Sequence, residues 1–257
     1  MGKKIYAIKE GFDFEKNKKV ENIMVDTWNE CLKYVKGVKG AKYKSFESES
    51  KAKEYLKDEN KLLKKGIDSY PLDCIHAYVD GSFNECLGKY SYGLAVVKQD
   101  TVVYVEAGAA SDDNARALRQ ISGELRAAVC ALEYAVKNKE EEIVIFHDYE
   151  GIYHHAVGTW ERRELSSKLY FEQMNFLKKL GNINVIFVKV DSHTGDLYND
   201  IADEMAKNAI GLRLPGEVES YLKNKSIVVD NMEIKKTLSS IAGDQSKNII
   251  VLNDKNV

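Results

Sequence analysis

Four carboxylates stand where a carboxylate is costly, and any fold for this chain must give them partners. Asp80 closes the apolar run of IHAYVDGS, and Asp148 closes that of IVIFHDYEG. Glu124 in ISGELRAA and Asp203 in YNDIADEMAK fall on the apolar stripes of helix-like stretches. A carboxylate taken out of water needs a hydrogen bond, a counter-charge or a metal ion. No Lys or Arg stands directly beside any of the four. The set therefore reads as a divalent-metal site, and the fold must bring two strand ends and two helix faces to one point.

The rest of the chain limits where such a site sits. At 257 residues it has room for one medium domain and a smaller one. No apolar run approaches the roughly 18 residues of a membrane span. The start, MGKKIYAIKEG, lacks the apolar core of a signal peptide and fails the myristoylation pattern at Tyr6. Cys31, Cys74, Cys86 and Cys130 form no CxxC pair, which points away from a zinc knuckle or a disulfide framework. A reducing, cytoplasmic location is the expectation. The net charge of -2 hides an asymmetry. Residues 1–66 hold 17 Lys, no Arg and 11 acidic residues, so a basic head precedes an acidic body. Such a head suits a polyanionic partner.

Periodicity divides the chain. KKIYAIKEG alternates like a short strand, and the polar stretch FDFEKNKKVENIMV follows it. Thr27 and Glu30 have capping-box spacing ahead of the stripe Trp28, Cys31, Leu32 and Val35. AKYKSF reads as a returning strand and Ser48–Leu56 as a second helix. The expected divisions are a small αβ module over 1–57, a charged linker over 58–73, a larger domain over 74–211 and an extension of unknown role over 212–257. In the larger domain three strand-like runs come in succession. A helix over about 117–137 and strand–helix alternation then lead to a last helix near 199–210. That order predicts a mixed α/β sheet flanked by helices.

The motifs of this larger region closely resemble type 1 ribonuclease H. They are the strand ending in DGS, the GE–AA helix, the strand ending in D-YEGI and the SHTGD-YND-AD segment, spanning about 75–210. The resemblance implies a five-stranded mixed sheet and hydrolysis of the RNA strand of an RNA–DNA hybrid. It implies that Asp80, Glu124, Asp148 and Asp203 bind two Mg²⁺ ions, with Mn²⁺ as a substitute, and that cleavage leaves a 3′-hydroxyl and a 5′-phosphate. Asp203 rather than Asp200 takes the last position, with Asp200 behind it. His193 matches a histidine that assists proton transfer or product release. Gly81, Ser82, Gln120 and Glu124 are the candidates for reading the 2′-hydroxyl, which separates RNA from DNA. Gln120 stands where the family carries an asparagine. A lysine-rich protrusion is not evident, since GTWERRELSSK is short and of mixed charge.

IYAIKEG, DTWNEC and KGAKYKSF resemble the viroplasmin-like hybrid-binding domain fused to many such enzymes. By position, Tyr6, Trp28 and Lys44 would meet the duplex, an aromatic on a deoxyribose and lysine on phosphate, while Phe46 reads as part of the small core. Two departures stand out: residues 13–25 exceed the family's tight connection, and Ser45 replaces a second lysine. The expected partner is an RNA–DNA hybrid, with duplex RNA as a further ligand of the head. No membrane partner is expected, and a monomer is favoured. Two other readings are a non-catalytic viroplasmin-like binder and another nuclease of the ribonuclease-H-like superfamily. The complete carboxylate set opposes the first, and the DGS, GE and SHTGD segments oppose the second.

Overall fold

A computed structural model describes residues 4–56, 62–110, 120–191 and 195–252. The chain divides into two compact units, Met1–Lys61 and Leu62–Val257.

The smaller unit is a three-stranded antiparallel sheet with two helices. β1 (Ile5–Asp13) lies between β2 (Lys18–Val25) and β3 (Lys42–Phe46). α1 (Trp28–Val35) follows β2, and α2 (Glu49–Leu56) follows β3. The polar stretch after the first strand is therefore a β-hairpin and not a connection. Its turn is closed locally. The Asp13 carboxylate accepts from the amides of Glu15 and Lys16, each at 3.0 Å, and Asn17 takes the left-handed conformation at φ 49°. Asn and Asp supply such turns through their short polar side chains. Thr27 and Glu30 form the reciprocal capping box that starts α1. The buried core centres on Ile8, Cys31 and Val35.

Among the described residues, the larger unit is built on one mixed sheet of eight strands. In chain order these are β4 (Leu63–Lys64), β5 (Ile75–Asn84), β6 (Lys89–Lys98), β7 (Thr101–Ala110), β8 (Glu142–His147), β9 (Asn184–Lys189), β10 (Ile227–Val229) and β11 (Ile249–Val251). Across the sheet they run β11-β10-β7-β6-β5-β8-β9-β4. The five expected strands form the contiguous centre, β7 to β9. The expected count is corrected to eight because short parallel strands extend both edges: β10 and β11 beyond β7, and β4 beyond β9. β6 and β7 are joined by Gln99 and Asp100, both at positive φ (49° and 58°), as a two-residue hairpin turn demands. β8 and β9 are nearly continuous apolar runs, as expected for strands covered on both faces.

One core packs under α3 (Gln120–Lys137), α4 (Gly151–Ala156) and α5 (Leu165–Gly181). The other face packs under α6 (Leu197–Ala209), α7 (Glu217–Leu222) and α8 (Met232–Leu238). Residues 212–252 thus contribute strands and core. The Glu204 carboxylate on α6 accepts from the first amides of α7, at 2.7 Å from Glu217 and 3.3 Å from Val218. Part of the expected linker also belongs to this unit, since β4 lies within it.

Candidate active site

The site grows out of the end of a parallel ladder. β5 and β8 pair from Ile75 opposite Ile143 to Tyr78 opposite Phe146. Two residues further on each chain come Asp80 and Asp148, at the same level. Past Tyr78, β5 keeps only its antiparallel partner β6, so its other edge opens here. The sequence reading ended this strand at Asp80. The strand instead runs to Asn84, with Gly81 opposite Tyr92 and Ser82 opposite Ser91. The Gly81 amide donates to the Asp80 carboxylate at 2.6 Å.

Two glycines let the flanking helices reach the site. Gly123 on α3 lies so close to the sheet that an added Cβ would stand 1.9 Å from the Ser91 carbonyl oxygen. Gly93 on β6, paired with Asp80, lets α6 in; a Cβ there would stand 2.0 Å from the Ala202 carbonyl oxygen. These close approaches bring Glu124 and Asp203, each the next residue along its helix, to the two sides of Asp80.

Asp80, Glu124 and Asp148 converge, each offering a carboxylate oxygen within 4.8 Å of the others. Asp80 and Glu124 are buried and Asp148 is half-buried. Burial pushes the Asp80 carboxyl well above its usual range, and the charges of Asp148 and Asp203 push it further. Asp203 is half-buried and lies outside the 4.8 Å group. Its carboxylate receives the Lys207 ammonium, one turn along α6, at 2.5 Å. Asp200 is half-buried in the first turn of α6. His193 lies outside the described residues. Gln120 opens α3, but its side chain lies outside what is described.

His147 precedes Asp148 and is fully buried. Its Nδ1–H donates to the Tyr149 carbonyl at 2.9 Å, and burial pulls its pKa down to about 4. Trp160 stacks on His154 with centroids 4.5 Å apart and meets Tyr149 and His155 edge-on, so it has a packing role. His154 and His155 are half-buried against it.

In the smaller unit, Tyr6 and Trp28 have ring centroids 5.6 Å apart. The third ring of that platform is Tyr43, 5.8 Å from Trp28, which sequence reasoning missed. Strand alternation was the available signal. Tyr43 and Ser45 share one face of β3, and Lys44 and Phe46 share the other. Phe46 packs on Tyr55 at 5.3 Å, and the Lys44 ammonium lies 5.9 Å from the Phe46 ring centre. The structure therefore joins Tyr6 with Trp28 and puts Lys44 on the opposite face.

Comparison with known proteins gives two family matches. The RNase H family matches residues 73–211, and the Ribonuclease H1 N-terminal domain matches residues 4–56. No curated protein matches. Among solved structures, RNase H1 of Halobacterium salinarum is 21% identical at a TM-score of 0.45, covering 53% of this chain and 97% of its own. The N-terminal RNase H domain of rv2228c from Mycobacterium tuberculosis is 20% identical at 0.45, covering 53% and 93%. LC11-RNase H1, solved in complex with an RNA/DNA hybrid, is 17% identical at 0.43, covering 53% and 99%.

Proposed function

Because the chain belongs to the RNase H family, we infer that it is an endoribonuclease that hydrolyses the RNA strand of RNA–DNA hybrids. The observation that carries this reading is the meeting of Asp80, Glu124 and Asp148 from three separate elements. An all-oxygen set whose members repel one another fits a hard divalent cation, Mg²⁺ first and Mn²⁺ as its substitute. Bound divalent ions would supply an activated water and neutralise charge at the leaving oxygen. Asp80, Glu124 and Asp148 would hold them, with Asp203 as the fourth ligand and Asp200 behind it.

Water attacks phosphorus in line. The new P–O bond forms as the bond to the 3′ oxygen breaks, and the proton ends on that 3′ oxygen. The products are a 3′-hydroxyl and a 5′-phosphate. His193 is assigned to proton transfer or product release. The Gly81 and Ser82 backbone, Gln120 and Glu124 are assigned to the 2′-hydroxyl. In the head, the Tyr6–Trp28–Tyr43 platform takes a deoxyribose face, and Lys44, on the opposite face of the sheet, is not part of that contact. The cytoplasmic setting belongs to the same proposal, with all four cysteines free thiols.

The test is cleavage of labelled RNA–DNA hybrid, duplex RNA and duplex DNA in Mg²⁺. Cutting confined to the RNA strand of the hybrid is expected. No cutting, or equal cutting of duplex DNA, would overturn the reading.

A further inference from the structure

Beneath the carboxylates lies a cation that neither family match contains. Lys65 falls between the matched ranges 4–56 and 73–211. Its backbone is fixed: β4 pairs with β9, and the Lys65 amide donates to the Lys189 carbonyl at 2.9 Å. The chain then turns at Gly66, at φ 79°. This places the Lys65 ammonium 4.7 Å from the ring centre of Tyr78 and 5.0 Å from that of Phe146. Those rings stack on each other, 4.5 Å apart and 7° from parallel. They are the last pair of the β5–β8 ladder. Asp80 and Asp148 each follow two residues on, about 7 Å at the rise of a strand. The same ammonium bonds the Tyr78 hydroxyl at 2.9 Å and forms an ion pair with Asp196. Asp196 is the residue before the first turn of α6, and α6 carries Asp203.

We propose that Lys65 is a positioning residue for the carboxylate centre, tying β5, β8 and α6 together one layer below the reacting groups. This inference rests on the hybrid-cleavage reading for its kinetic consequence. The ammonium is 30% exposed and the Asp196 carboxylate 14% exposed, so water screens the pair only partly. An ion held over a ring pair and bonded at two further points permits few orientations of its partners. The carboxylates above inherit that restriction, as ligands of a metal centre do from the groups behind them. A segment that composition reads as linker thereby becomes part of the catalytic unit.

The experiment uses the full chain with Lys65→Met, Lys65→Arg and, as control, Lys64→Met at the neighbouring residue on β4. Lys65→Met is expected to lower kcat about 10-fold with the KM for hybrid unchanged. By calorimetry without substrate, its Mg²⁺ dissociation constant is expected to rise by about the same factor. Lys65→Arg should recover most of both, and Lys64→Met should match wild type. Asp196→Asn should give the same losses, and the double variant Lys65→Met/Asp196→Asn should be no worse than either single one. If Lys65→Met does not melt cooperatively, Asp196→Asn alone decides. A lower melting temperature with kcat and Mg²⁺ affinity unchanged would overturn the proposal, as would additive losses. A wild type that cuts no hybrid would remove the enzymatic reading, and the Mg²⁺ titration would still decide the role of Lys65.

Discussion

In the larger unit Asp80 and Glu124 are 8% and 2% exposed; in the smaller one Trp28 and Tyr43 are 41% and 43% exposed. The first pair are charges placed where water is scarce, the second are large apolar rings left in water. Each inverts the ordinary preference of its residue type. The inversions need different remedies. Buried carboxylates need a cation, whereas exposed rings need a flat apolar partner and tolerate its absence. The larger unit should therefore be sensitive to ions and protons, and the smaller to the shape and charge of what it holds.

The largest effect tests the buried side. Asp148→Asn keeps the side chain's size and removes one charge from the cluster. Several kcal/mol of charge stabilisation corresponds to a loss of about 10³-fold or more in kcat, with hybrid binding retained through the head. Single-turnover cleavage and filter binding measure the two. Turnover at the wild-type rate would erase the contrast, because the acid would then be no more functional than a surface carboxylate.

Acid should reach the two units differently. His147 is held neutral, its pKa pulled to about 4 by burial. The ordinary imidazole value is near 6.5, so below that pH the unfolded chain takes up a proton that the folded chain refuses. The contribution of His147 is complete above about pH 6.5 and is lost as pH falls towards 4. The total is about 3 kcal/mol at about 1.4 kcal/mol per unit. His147→Asn should flatten this limb in thermal melts of the whole chain. An acid limb unchanged in the variant would assign the proton to another group.

The sequence showed these sites unequally, for physical reasons. Asp80, Glu124 and Asp148 were legible because each breaks an apolar pattern, and a broken pattern can be read without a structure. Asp203 was set above Asp200 through the family resemblance alone, and its carboxylate pairs with Lys207 outside the group of three. The central strands were legible as apolar runs. β4, β10 and β11 were not, since two or three residues carry no period, and only the edges of the finished sheet decide their pairing. The hairpin of the smaller unit was missed because β2 has no fully buried residue and begins with two lysines, so it carries no clear apolar alternation. Phe46 was read as core, as its packing on Tyr55 has it, but Tyr43 in the same strand was not singled out. Alternation separates them only once the buried face is known.

Trp28→Ala tests the exposed side. Covering an exposed ring face against a sugar is worth about 1–3 kcal/mol. The KM for hybrid should therefore rise about 10-fold, while kcat at saturation stays at the wild-type value. A fall in kcat with KM unchanged would place the ring in the chemistry and not in the grip. Deleting residues 1–57 should raise KM at least as far and also lower the salt dependence of binding, because phosphate contacts set that slope.

The smallest effect is a gain. Ser45 is exposed, pairs with Tyr6 across the β1–β3 ladder and shares the face of Tyr43. It stands beside the platform, where a basic side chain would meet the backbone of a strand lying on the rings. Lys44, one residue away, points to the other face and leans on Phe46. Ser45→Lys should tighten hybrid binding in low salt and steepen the plot of log affinity against log salt by about 0.7–0.9, the contribution of one phosphate contact. In the Trp28→Ala background the same lysine should add less, because the duplex is no longer held against that face. An equal gain in both backgrounds would mean that the lysine attracts the polyanion at a distance and that the rings do not fix where it lies.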